Sequence, residues 1–354
     1  MDDIILDWFC LINTNGIGSK TFWSLLKDHK TAKKALQMVK DPFPYDSAQK
    51  ILKSSNAKIL LANDPRFPKQ LRRSMACPPM LFYKGDESIL KKEMISIIGA
   101  RNASIHGKSI SETLAKNLSS YFAIVSGLAK GIDTSAHKGS LENVDAKAAL
   151  AVLPFSIENV YPQENIKLHE SIEKYGLLLS EVPPHKKVDQ GMFHARNRIV
   201  AGLSCCIVVI EAAIKSGTME TAKLALDLGV DVFAVPGSPI DPRSAGSNFL
   251  IKNGAPLVEN FIDVLNLLGY EKSTKKQDLN QLFFEDTKST TNPTKISLES
   301  SHETVLSFLS DVPISVEQLA MHAKIDMTEF LYILSELEMM GKIVKYPTNY
   351  VVLA

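Results

Sequence analysis

The sequence predicts an α/β protein with an extended Rossmann-like, doubly wound parallel sheet, preceded by a small helical domain and followed by a winged-helix domain. Short apolar segments alternate with helical segments throughout residues 94–270. The apolar segments are nearly continuous, as in CCIVVI at 205–210, which is typical of parallel strands covered on both faces. A polar stretch at 271–300 then separates this region from a segment with a different pattern.

The N-terminal segment, residues 1–62, is predicted to form a small helical domain of the SAM or helix-hairpin-helix type. Its apolar residues recur at helical spacing, and Asn-Gly-Ile-Gly at 15–18 indicates a tight turn between the first two helices. That turn fits either a helix-hairpin-helix module, whose backbone amides can hold a phosphate, or a plain helix–helix corner. Residues 63–93 are rich in proline and basic residues, so they are predicted to connect in extended form to the next domain.

The sheet domain is predicted over residues 94–270. Strands are expected at 94–98, 122–126, 148–153, 177–180, 205–210 and 231–235. Helices are expected at 107–120, 131–143, 163–174, 192–203, 217–228 and 246–268, the last either continuous or broken. Ligands of such sheets bind beyond the carboxyl ends of the strands, so the turns that follow the strands are the candidate site.

Residues 301–354 are predicted to form a small winged helix of three helices and a hairpin, whose turn lies at 347–349. This fold often binds DNA, but the segment carries seven acidic and three basic residues, and its third helix presents Glu336 and Glu338. Because an acidic surface repels phosphates, a protein-contact or structural role is favoured. The segment 271–300 is rich in Ser, Thr and Lys and is predicted to be a linker.

Composition and charge restrict the class of partner. The net charge is +1, with +6 in residues 1–93 and −1 in residues 94–270, so no region is basic enough to wrap duplex DNA indiscriminately. No apolar run reaches the roughly 20 residues needed to span a bilayer, and the acidic start is unlike a secretory signal. The four cysteines lack metal-type spacing and are expected to be buried hydrophobes in a reducing cytoplasm. No metal or cofactor is predicted.

Two strand-to-helix turns carry the strongest functional signal. Each breaks at glycine and holds one long cation, Arg101 in the first turn and Lys130 in the second. Glycine permits close backbone approach, and the free N–H groups at the start of the next helix attract anions, so the pair suits a ligand with several phosphates. The candidate contacts are Gly99, Ala100, Arg101 and Ser104 in the first turn and Ser126, Gly127, Leu128, Ala129, Lys130 and Gly131 in the second.

Single residues in and beside these turns have alternative roles. Arg101 is expected to clamp a phosphate, although a pair with a surface carboxylate is the simpler alternative. Ser104 is expected to cap helix 107–120. Asp133 fits a capping or orienting role, because an anion beside a phosphate is costly. His137 lies one helical turn after Asp133, and since no nucleophile is near them in the sequence, a structural hydrogen-bond pair is favoured over a catalytic dyad.

The helix at 192–203 adds two arginines, Arg196 and Arg198. They point in different directions, so one is expected to face the ligand while the other braces the fold. Phe193 beside them can stack on a base or fill the core. The basic loop at 185–187 is either a DNA contact or solvated surface. The candidate contacts of this region are Lys187, Phe193, Arg196, Asn197 and Arg198.

The last candidate turn follows the strand at 205–210. Ser-Gly-Thr at 216–218 opens a helix whose free N–H groups form another anion cradle. Glu211 at the end of the strand is expected to orient Arg196 or Arg198, and Asn248 is positioned to bond a sugar or phosphate. The candidate contacts here are Ser216, Gly217, Thr218 and Asn248.

A row of phosphate-compatible turns without a catalytic constellation indicates binding rather than turnover. The sequence contains no HExxH, no CxxC pair, no close carboxylate cluster and no Walker A lysine. A flexible polyanion fits best. Single-stranded nucleic acid is the leading candidate, because a loose strand enters a pocket edge that a rigid duplex cannot.

The chain resembles the DNA-processing protein family, DprA (also called Smf), densely over residues 94–258 and more weakly at both ends. The matching segments are GARNASIHG, SGLAKGIDTSAH, YPQEN, LLLSEVPP, ARNRIVAGLS, EAAIKSGTMETA, VFAVPGSPIDPRSAGSNFLI and NGA. The resemblance implies an extended Rossmann fold that binds single-stranded DNA, loads the RecA recombinase onto it, protects incoming strands in natural transformation and works as a homodimer. It also implies that Arg101, the SGLAKG turn, the RNR helix and the SGT turn line the DNA pocket.

The sequence departs from the family pattern in two places. Pro154-Phe155-Ser156 stands where a Gly-x-Gly loop is usual, which puts a phosphate contact there in doubt and makes Phe155 a candidate stacking residue. His194 follows Phe193 where the family has proline, which removes a rigid helix entry and adds a titratable group. Two other functions stay open. One is a nucleotide phosphoribohydrolase-like enzyme on a related scaffold, whose usual PGGxGT turn this chain lacks, and the other is an adaptor whose winged helix recruits partners.

Overall fold

The computed structural model describes residues 3–73, 77–184, 186, 191–270, 298–309, 314–323, 325–345 and 350–353. The chain divides into two compact units, Met1–Glu271 and Lys272–Ala354. Within the described residues, no helix has the length and apolar character needed to cross a membrane.

Four helices open the first unit and pack onto its sheet. They are α1 (Asp3–Asn13), α2 (Ser19–His29), α3 (Ala32–Met38) and α4 (Tyr45–Ser54). Phe9 of α1 meets Phe82 of the sheet edge-on, with ring centroids 6.5 Å apart, and the Trp23 indole N–H donates to the Cys77 carbonyl at 2.8 Å. The helical segment and the sheet therefore share one hydrophobic core.

One eight-stranded sheet forms the centre of this unit. Its strands are β1 (Lys58–Leu61), β2 (Met80–Gly85), β3 (Met94–Ile98), β4 (Ala123–Ser126), β5 (Ala149–Leu153), β6 (Leu177–Ser180), β7 (Cys206–Val209) and β8 (Asp231–Ala234). They run in the order β1-β2-β6-β5-β4-β3-β7-β8, with β3 to β8 mutually parallel and β1 and β2 antiparallel at one edge. The six predicted strands are present, each within one residue at either end.

Residues 58–93 differ from the prediction. Strand β1 lies in the segment assigned to the helical domain, and strand β2 and helix α5 (Lys69–Arg73) lie in the segment assigned to an extended connector. β2 pairs with β6, where Phe82 faces Ser180, so the segment extends the sheet instead of only leading into it. The prolines of this segment fall outside both strands, as the missing amide proton of proline requires.

Helices cover both faces of the sheet. They are α6 (Ile105–Leu118), α7 (Ile132–Glu142), α8 (Ile166–Tyr175), α9 (Gly191–Leu203), α10 (Gly217–Asp227), α11 (Ala245–Lys252) and α12 (Phe261–Leu267). Alternate residues of β3 enter different cores: Met94 and Ile98 lie in one cluster, and Ile95 and Ile97 lie in the other. The sheet is therefore doubly wound, as predicted, and the last predicted helix is broken into α11 and α12.

The second unit has its own core. Its elements are α13 (Leu298–Ser307), β9 (Ile314–Ser315), α14 (Val316–Ala323), α15 (Met327–Met339), β10 (Ile343–Lys345) and β11 (Tyr350–Leu353). The strands form an antiparallel sheet in the order β10-β11-β9, consistent with the predicted winged helix, and Phe330 and Leu334 lie in the core. The predicted turn at 347–349 and most of the predicted linker at 271–300 lie outside the described residues.

Candidate functional site

The predicted site is a pocket at the carboxyl ends of β3, β4 and β7, beside helices α9 and α10. It encloses about 720 Å³. The predicted contact residues that line it are Gly99, Ala100, Arg101, Gly127, Ala129, Phe193, Arg196, Asn197, Ser216, Gly217 and Thr218. The three turns and the arginine-bearing helix that the sequence singles out therefore meet at one edge of the sheet.

Backbone contacts fix these turns relative to one another. Gly131 has φ +77°, and a Cβ there would lie 2.2 Å from the Ala100 carbonyl oxygen. The Ile132 N–H donates to that same carbonyl at 3.2 Å. From the last turn, the Thr218 hydroxyl donates to the Gly99 carbonyl at 3.0 Å. The close approach at Gly131 explains why the turn needs glycine, since a side chain would separate the two turns.

Arg196 lies beneath the second turn. Its side chain is buried, Nη1 donates to the Val152 carbonyl at 3.0 Å, and Nε has no hydrogen-bond partner. The guanidinium packs against Gly127, where a Cβ would come within 1.6 Å of Nη1. Burial lowers the pKa of Arg196, and the Asp133 carboxylate offsets part of that shift. Arg196 therefore supplies buried positive charge at the wall of the pocket.

Asp133 organises the same turn from the other side. Its carboxylate accepts hydrogen bonds from the backbone N–H groups of Gly127 at 3.2 Å and Ala129 at 3.3 Å. Burial raises the pKa of Asp133, and the charge of Arg196 opposes this shift. These bonds fit the orienting role predicted for Asp133, whereas the capping alternative is wrong, because α7 has Gly131 as its N-cap and no side-chain cap bond. The predicted hydrogen-bond pair with His137 is wrong, because both ring nitrogens of His137 are buried without a hydrogen-bond partner.

The burial of His137 predicts a measurable acid sensitivity. Desolvation and the nearby charge of Arg196 lower the pKa of His137 from 6.5 to about 3. Between these values the unfolded chain binds a proton that the folded chain excludes. The free energy of unfolding therefore falls as the pH falls, by up to about 1.4 kcal/mol per pH unit from this group.

In the variant His137→Leu, this part of the pH dependence is expected to disappear. Urea unfolding of both proteins between about pH 7 and about pH 5 measures it. The opposite contribution of Asp133 is common to both proteins, so the difference between their slopes isolates His137. Equal slopes in the two proteins would contradict the assignment.

Helix α9 divides its two arginines as predicted. Arg196 lines the pocket, whereas Arg198 forms an ion pair with Glu181 and contributes nothing to the pocket lining. The Arg198 side chain is only 17% exposed, so its charge is committed to bracing the chain that follows β6. The structure therefore does not bring Arg198 together with the other predicted contacts.

Three aromatic rings form a cluster beside Arg101. Phe193 meets Phe155 and Tyr161 edge-on, with ring centroids 5.0 Å and 6.0 Å apart. The Arg101 guanidinium lies 5.1 Å from the Phe193 ring centroid, at cation–π distance. Phe155 is 3% exposed, so the alternative in which it stacks on a base is wrong, and it supports the other two rings instead.

Tyr161 is a pocket residue that sequence reasoning missed. The residue is 53% exposed and lines the pocket beside Phe193. The available signal was its place as the first residue of the YPQEN segment, in the loop that follows β5. His194 was noted only as a titratable departure, and it also lines the pocket, with Nδ1 2.7 Å from the Glu220 carboxylate.

Lys130 lies at the edge of a smaller adjoining cavity. Its Nζ is 2.7 Å from Glu164 Oε1, and both side chains are more than half exposed. The hydrogen bond from Lys130 lowers the pKa of Glu164. Exposed ion pairs of this kind contribute little to stability, so the Lys130 ammonium can exchange its partner at small cost.

Several predicted contacts hold the first two turns in place. Ser104 caps α6 as predicted, by accepting from the Gly107 N–H at 2.9 Å. The Ser104 N–H donates to Glu211 at 2.9 Å, so Glu211 holds this turn, and the prediction that it orients an arginine is wrong. Ser126 is buried and donates to the Ile97 carbonyl at 2.7 Å.

Two further predicted contacts, Leu128 and Asn248, do not join the pocket lining. Leu128 is buried, and its carbonyl accepts from the Asn165 side chain at 3.0 Å. Asn248 spans Gly237, donating to its carbonyl at 2.9 Å and accepting from its N–H at 3.1 Å, so the structure gives it a bracing role in place of the predicted ligand contact. Lys187 lies outside the described residues.

The pocket thus combines backbone donors, cations and an exposed aromatic surface. Ser216 caps α10 and leaves the first N–H groups of that helix at the pocket, where they attract anions. Across the described ranges, no three His, Cys, Asp or Glu side chains are grouped to hold a metal ion. This arrangement suits the binding of a phosphate-bearing, base-bearing chain.

Comparison with known protein families covers most of the sequence. The family model for DNA recombination-mediator protein A matches residues 58–269. The DprA winged helix domain matches residues 289–348, and the DprA-like N-terminal HHH domain matches residues 2–42.

Individual relatives agree with these matches. The DNA processing protein DprA of Streptococcus pneumoniae is 40% identical over 202 residues, which cover 57% of this chain and 71% of that protein. Protein Smf of Escherichia coli is 32% identical over 302 residues, which cover 85% of this chain and 78% of that protein.

Two solved structures share the fold at 30% identity. The X-ray structure of DprA from Streptococcus pneumoniae matches with a TM-score of 0.65, covering 75% of this chain and 98% of that one. The DprA structure from Helicobacter pylori, described as revealing a single-stranded DNA binding mode, matches with a TM-score of 0.55, covering 61% of this chain and 96% of that one. The chain therefore belongs to the DNA recombination-mediator protein A family, DprA/Smf.

Proposed function

We propose that this protein binds single-stranded DNA in the pocket at the sheet edge and acts as a recombination mediator, without catalysing a reaction. The observation that carries the proposal is the position of Arg101 over Phe193, beside exposed Tyr161 and the start of α10. This brings contacts for a phosphate backbone and for bases into one pocket.

The phosphate contacts come from charge and backbone together. Arg101 and Lys130 are the accessible cations, and the amides at the start of α10 add neutral donors. Buried Arg196, which lies beneath the second turn, adds to the positive electrostatic potential at the pocket wall. Because these groups do not depend on base identity, the binding is expected to be weakly selective for sequence.

The base contacts come from the aromatic cluster. Phe155 holds Phe193 and Tyr161 at fixed mutual angles, so their surfaces are ordered before a ligand arrives. Bases stack on such surfaces in proteins that bind single strands. Duplex DNA keeps its bases paired inside the helix, which favours a single strand as the ligand.

Membership of the family supports a role for this activity in DNA processing. The Helicobacter pylori relative is described as binding single-stranded DNA, and it is 30% identical to this chain. RecA loading, protection of incoming strands in natural transformation, cytoplasmic localisation and a homodimer formed through the sheet unit are proposed here from the family resemblance. The phosphoribohydrolase-like alternative is less favoured, because the Glu211 carboxylate that follows β7 is bonded to Ser104 and does not line the pocket.

Removing one pocket cation is expected to weaken DNA binding without unfolding the protein. Arg101→Ala and Lys130→Ala should each lower the affinity for a single-stranded oligonucleotide by about 1–3 kcal/mol, the value of a lost charged contact. Fluorescence anisotropy with a labelled oligonucleotide, titrated at several salt concentrations, measures the effect. Each variant should also show a smaller salt dependence, because it contacts one phosphate fewer.

Lys116→Ala is the matched control for Lys130→Ala. The two lysine side chains are equally exposed, at 55%, and each pairs with a glutamate, but Lys116 pairs with Glu142 at a distance of 3.0 Å and lines none of the cavities described above. The control should bind DNA as the wild type does. Equal losses in both lysine variants would show a general charge effect and would exclude the pocket as the binding site.

A further inference from the structure

A second cavity lies on the far side of Arg196, between α9 and the turn that joins α1 to α2. It encloses about 170 Å³. Apolar side chains make up somewhat more than half of its wall and include Ile12, Ile17, Pro79, Phe82, Pro154 and Met192. The polar part of the wall comes from Asn13, Ser19, Glu181, Lys186 and Arg196. Apolar side chains combined with a few polar groups are typical of sites for small organic ligands.

This second cavity adjoins the main pocket through shared walls. Arg196 lines both of them. The small cavity beside Lys130 shares Pro154 with the second cavity and Phe193 with the main pocket. The three spaces therefore follow one another from the sheet edge to the N-terminal helices.

Arg196 provides an independent sign of a ligand at this place. The residue is 8% exposed, and its Nε has no hydrogen-bond partner. A buried donor without an acceptor is costly, and most such groups in folded proteins find a partner. The same side chain forms the wall between the two cavities. An acceptor on a ligand in either space can therefore accept the hydrogen bond that Arg196 Nε lacks.

We propose that a base of the DNA strand bound in the main pocket enters the second cavity, so that the N-terminal helices take part in binding. The inference rests on the proposed single-strand binding and extends its path. The apolar walls would cover the faces of the base, while Arg196 and the side chains of Asn13 and Ser19 meet its polar edge. A strand is favoured over a free nucleotide, because the second cavity shares the Arg196 wall with the main pocket and Pro154 with the small cavity beside Lys130.

A larger side chain in the second cavity should prevent a base from entering it while the main pocket stays open. Ala195 and Ser19 line the cavity from opposite sides, on α9 and α2, and neither lines the main pocket. The variants are Ala195→Leu and Ser19→Leu. Ser24→Leu is the matched control, since Ser24 is an exposed residue of α2 outside all three cavities.

The measurement is the affinity for a series of oligothymidylates of increasing length, by anisotropy. In the wild type and in Ser24→Leu, affinity should rise when the strand becomes long enough to reach the second cavity. In both cavity variants, the gain in affinity at this strand length should be about fivefold smaller than in the wild type, the equivalent of about 1 kcal/mol. The shortest oligonucleotide that binds should bind all four proteins equally well, which also establishes that the variants are folded.

The outcomes separate this inference from the proposed function. An unchanged gain in both cavity variants, with normal binding of the short strand, would overturn the second site and leave single-strand binding intact. Removal of the gain by thymidine monophosphate, with short-strand binding intact, would support the cavity as the site of a base, because the free nucleotide and the strand compete for it. A wild type that binds no single strand at all would overturn both proposals.

Discussion

Gly127→Ala is expected to destabilise the protein by about 3 kcal/mol and to remove single-strand binding, the size of effect expected when a closely packed site is overfilled. The added Cβ would lie 1.6 Å from Arg196 Nη1 and 2.4 Å from its Cζ. The guanidinium cannot simply move aside, because Nη1 is bonded to the Val152 carbonyl in a buried site. Urea unfolding measures the loss of stability, and oligonucleotide anisotropy at a temperature where the variant is folded measures the loss of binding.

Gly217→Ala is the control for this substitution. It adds the same methyl group at another glycine of the pocket wall, where the nearest atom, Asn197 Nδ2, is 4.0 Å from the new Cβ. Its free energy of unfolding should stay within about 0.5 kcal/mol of the wild type. If both alanine variants behaved alike, contact between Gly127 and Arg196 could not be the cause.

Arg196→Met should lower the free energy of unfolding by about 3–5 kcal/mol, the usual effect of leaving a buried charge without its partner. Methionine fills a similar space, so the loss of stability comes mainly from the Asp133 carboxylate, which stays buried without the opposing charge of Arg196. Without Arg196, the pKa of Asp133 in the folded protein rises further above its unfolded value. The variant should therefore be least stable near neutral pH and should regain stability relative to wild type as the pH falls.

A double-mutant cycle tests the coupling directly. Asp133→Asn in the Arg196→Met background removes the uncompensated charge, so the double variant should lose less stability than the two single variants added together. Additive losses would mean that Asp133 and Arg196 act independently. Single-strand binding of the double variant then shows how much of the affinity depends on the charge of Arg196 beyond its structural part.

The strands that the sequence predicted well are those buried on both faces. β3 to β8 are nearly continuous apolar runs, and each was predicted within one residue. β1 and β2 are different, since they lie at the antiparallel edge of the sheet beside prolines. Their residues Lys58, Lys84 and Gly85 also interrupt the apolar pattern from which a strand is predicted. Their place in the sheet depends on pairing with β6, which is almost 100 residues away and which no local pattern reveals.

The same contrast holds for the site. The spacing of the glycines predicted which turns would meet, because glycines in the local sequence mark where two backbone segments approach closely. The partners of the charged groups were not predictable in this way. Glu211 bonds to Ser104 across 107 residues, and Lys130 pairs with Glu164 across 34 residues. Such pairs are set by how the strands are ordered in the sheet.

The ion pair between Lys130 and Glu164 lies at the small cavity that adjoins the main pocket, and it has a consequence for any phosphate that binds there. The lysine is already neutralised by a carboxylate of the same chain, so an arriving phosphate must replace that carboxylate and not only loosely held salt ions. A single phosphate gains little binding free energy by replacing the Glu164 carboxylate. Under the proposed function, a chain whose neighbouring phosphates bind Arg101 and the helix amides would present its next phosphate at high local concentration and displace the carboxylate. Glu164 would then favour a polymer of phosphates over a single small phosphate.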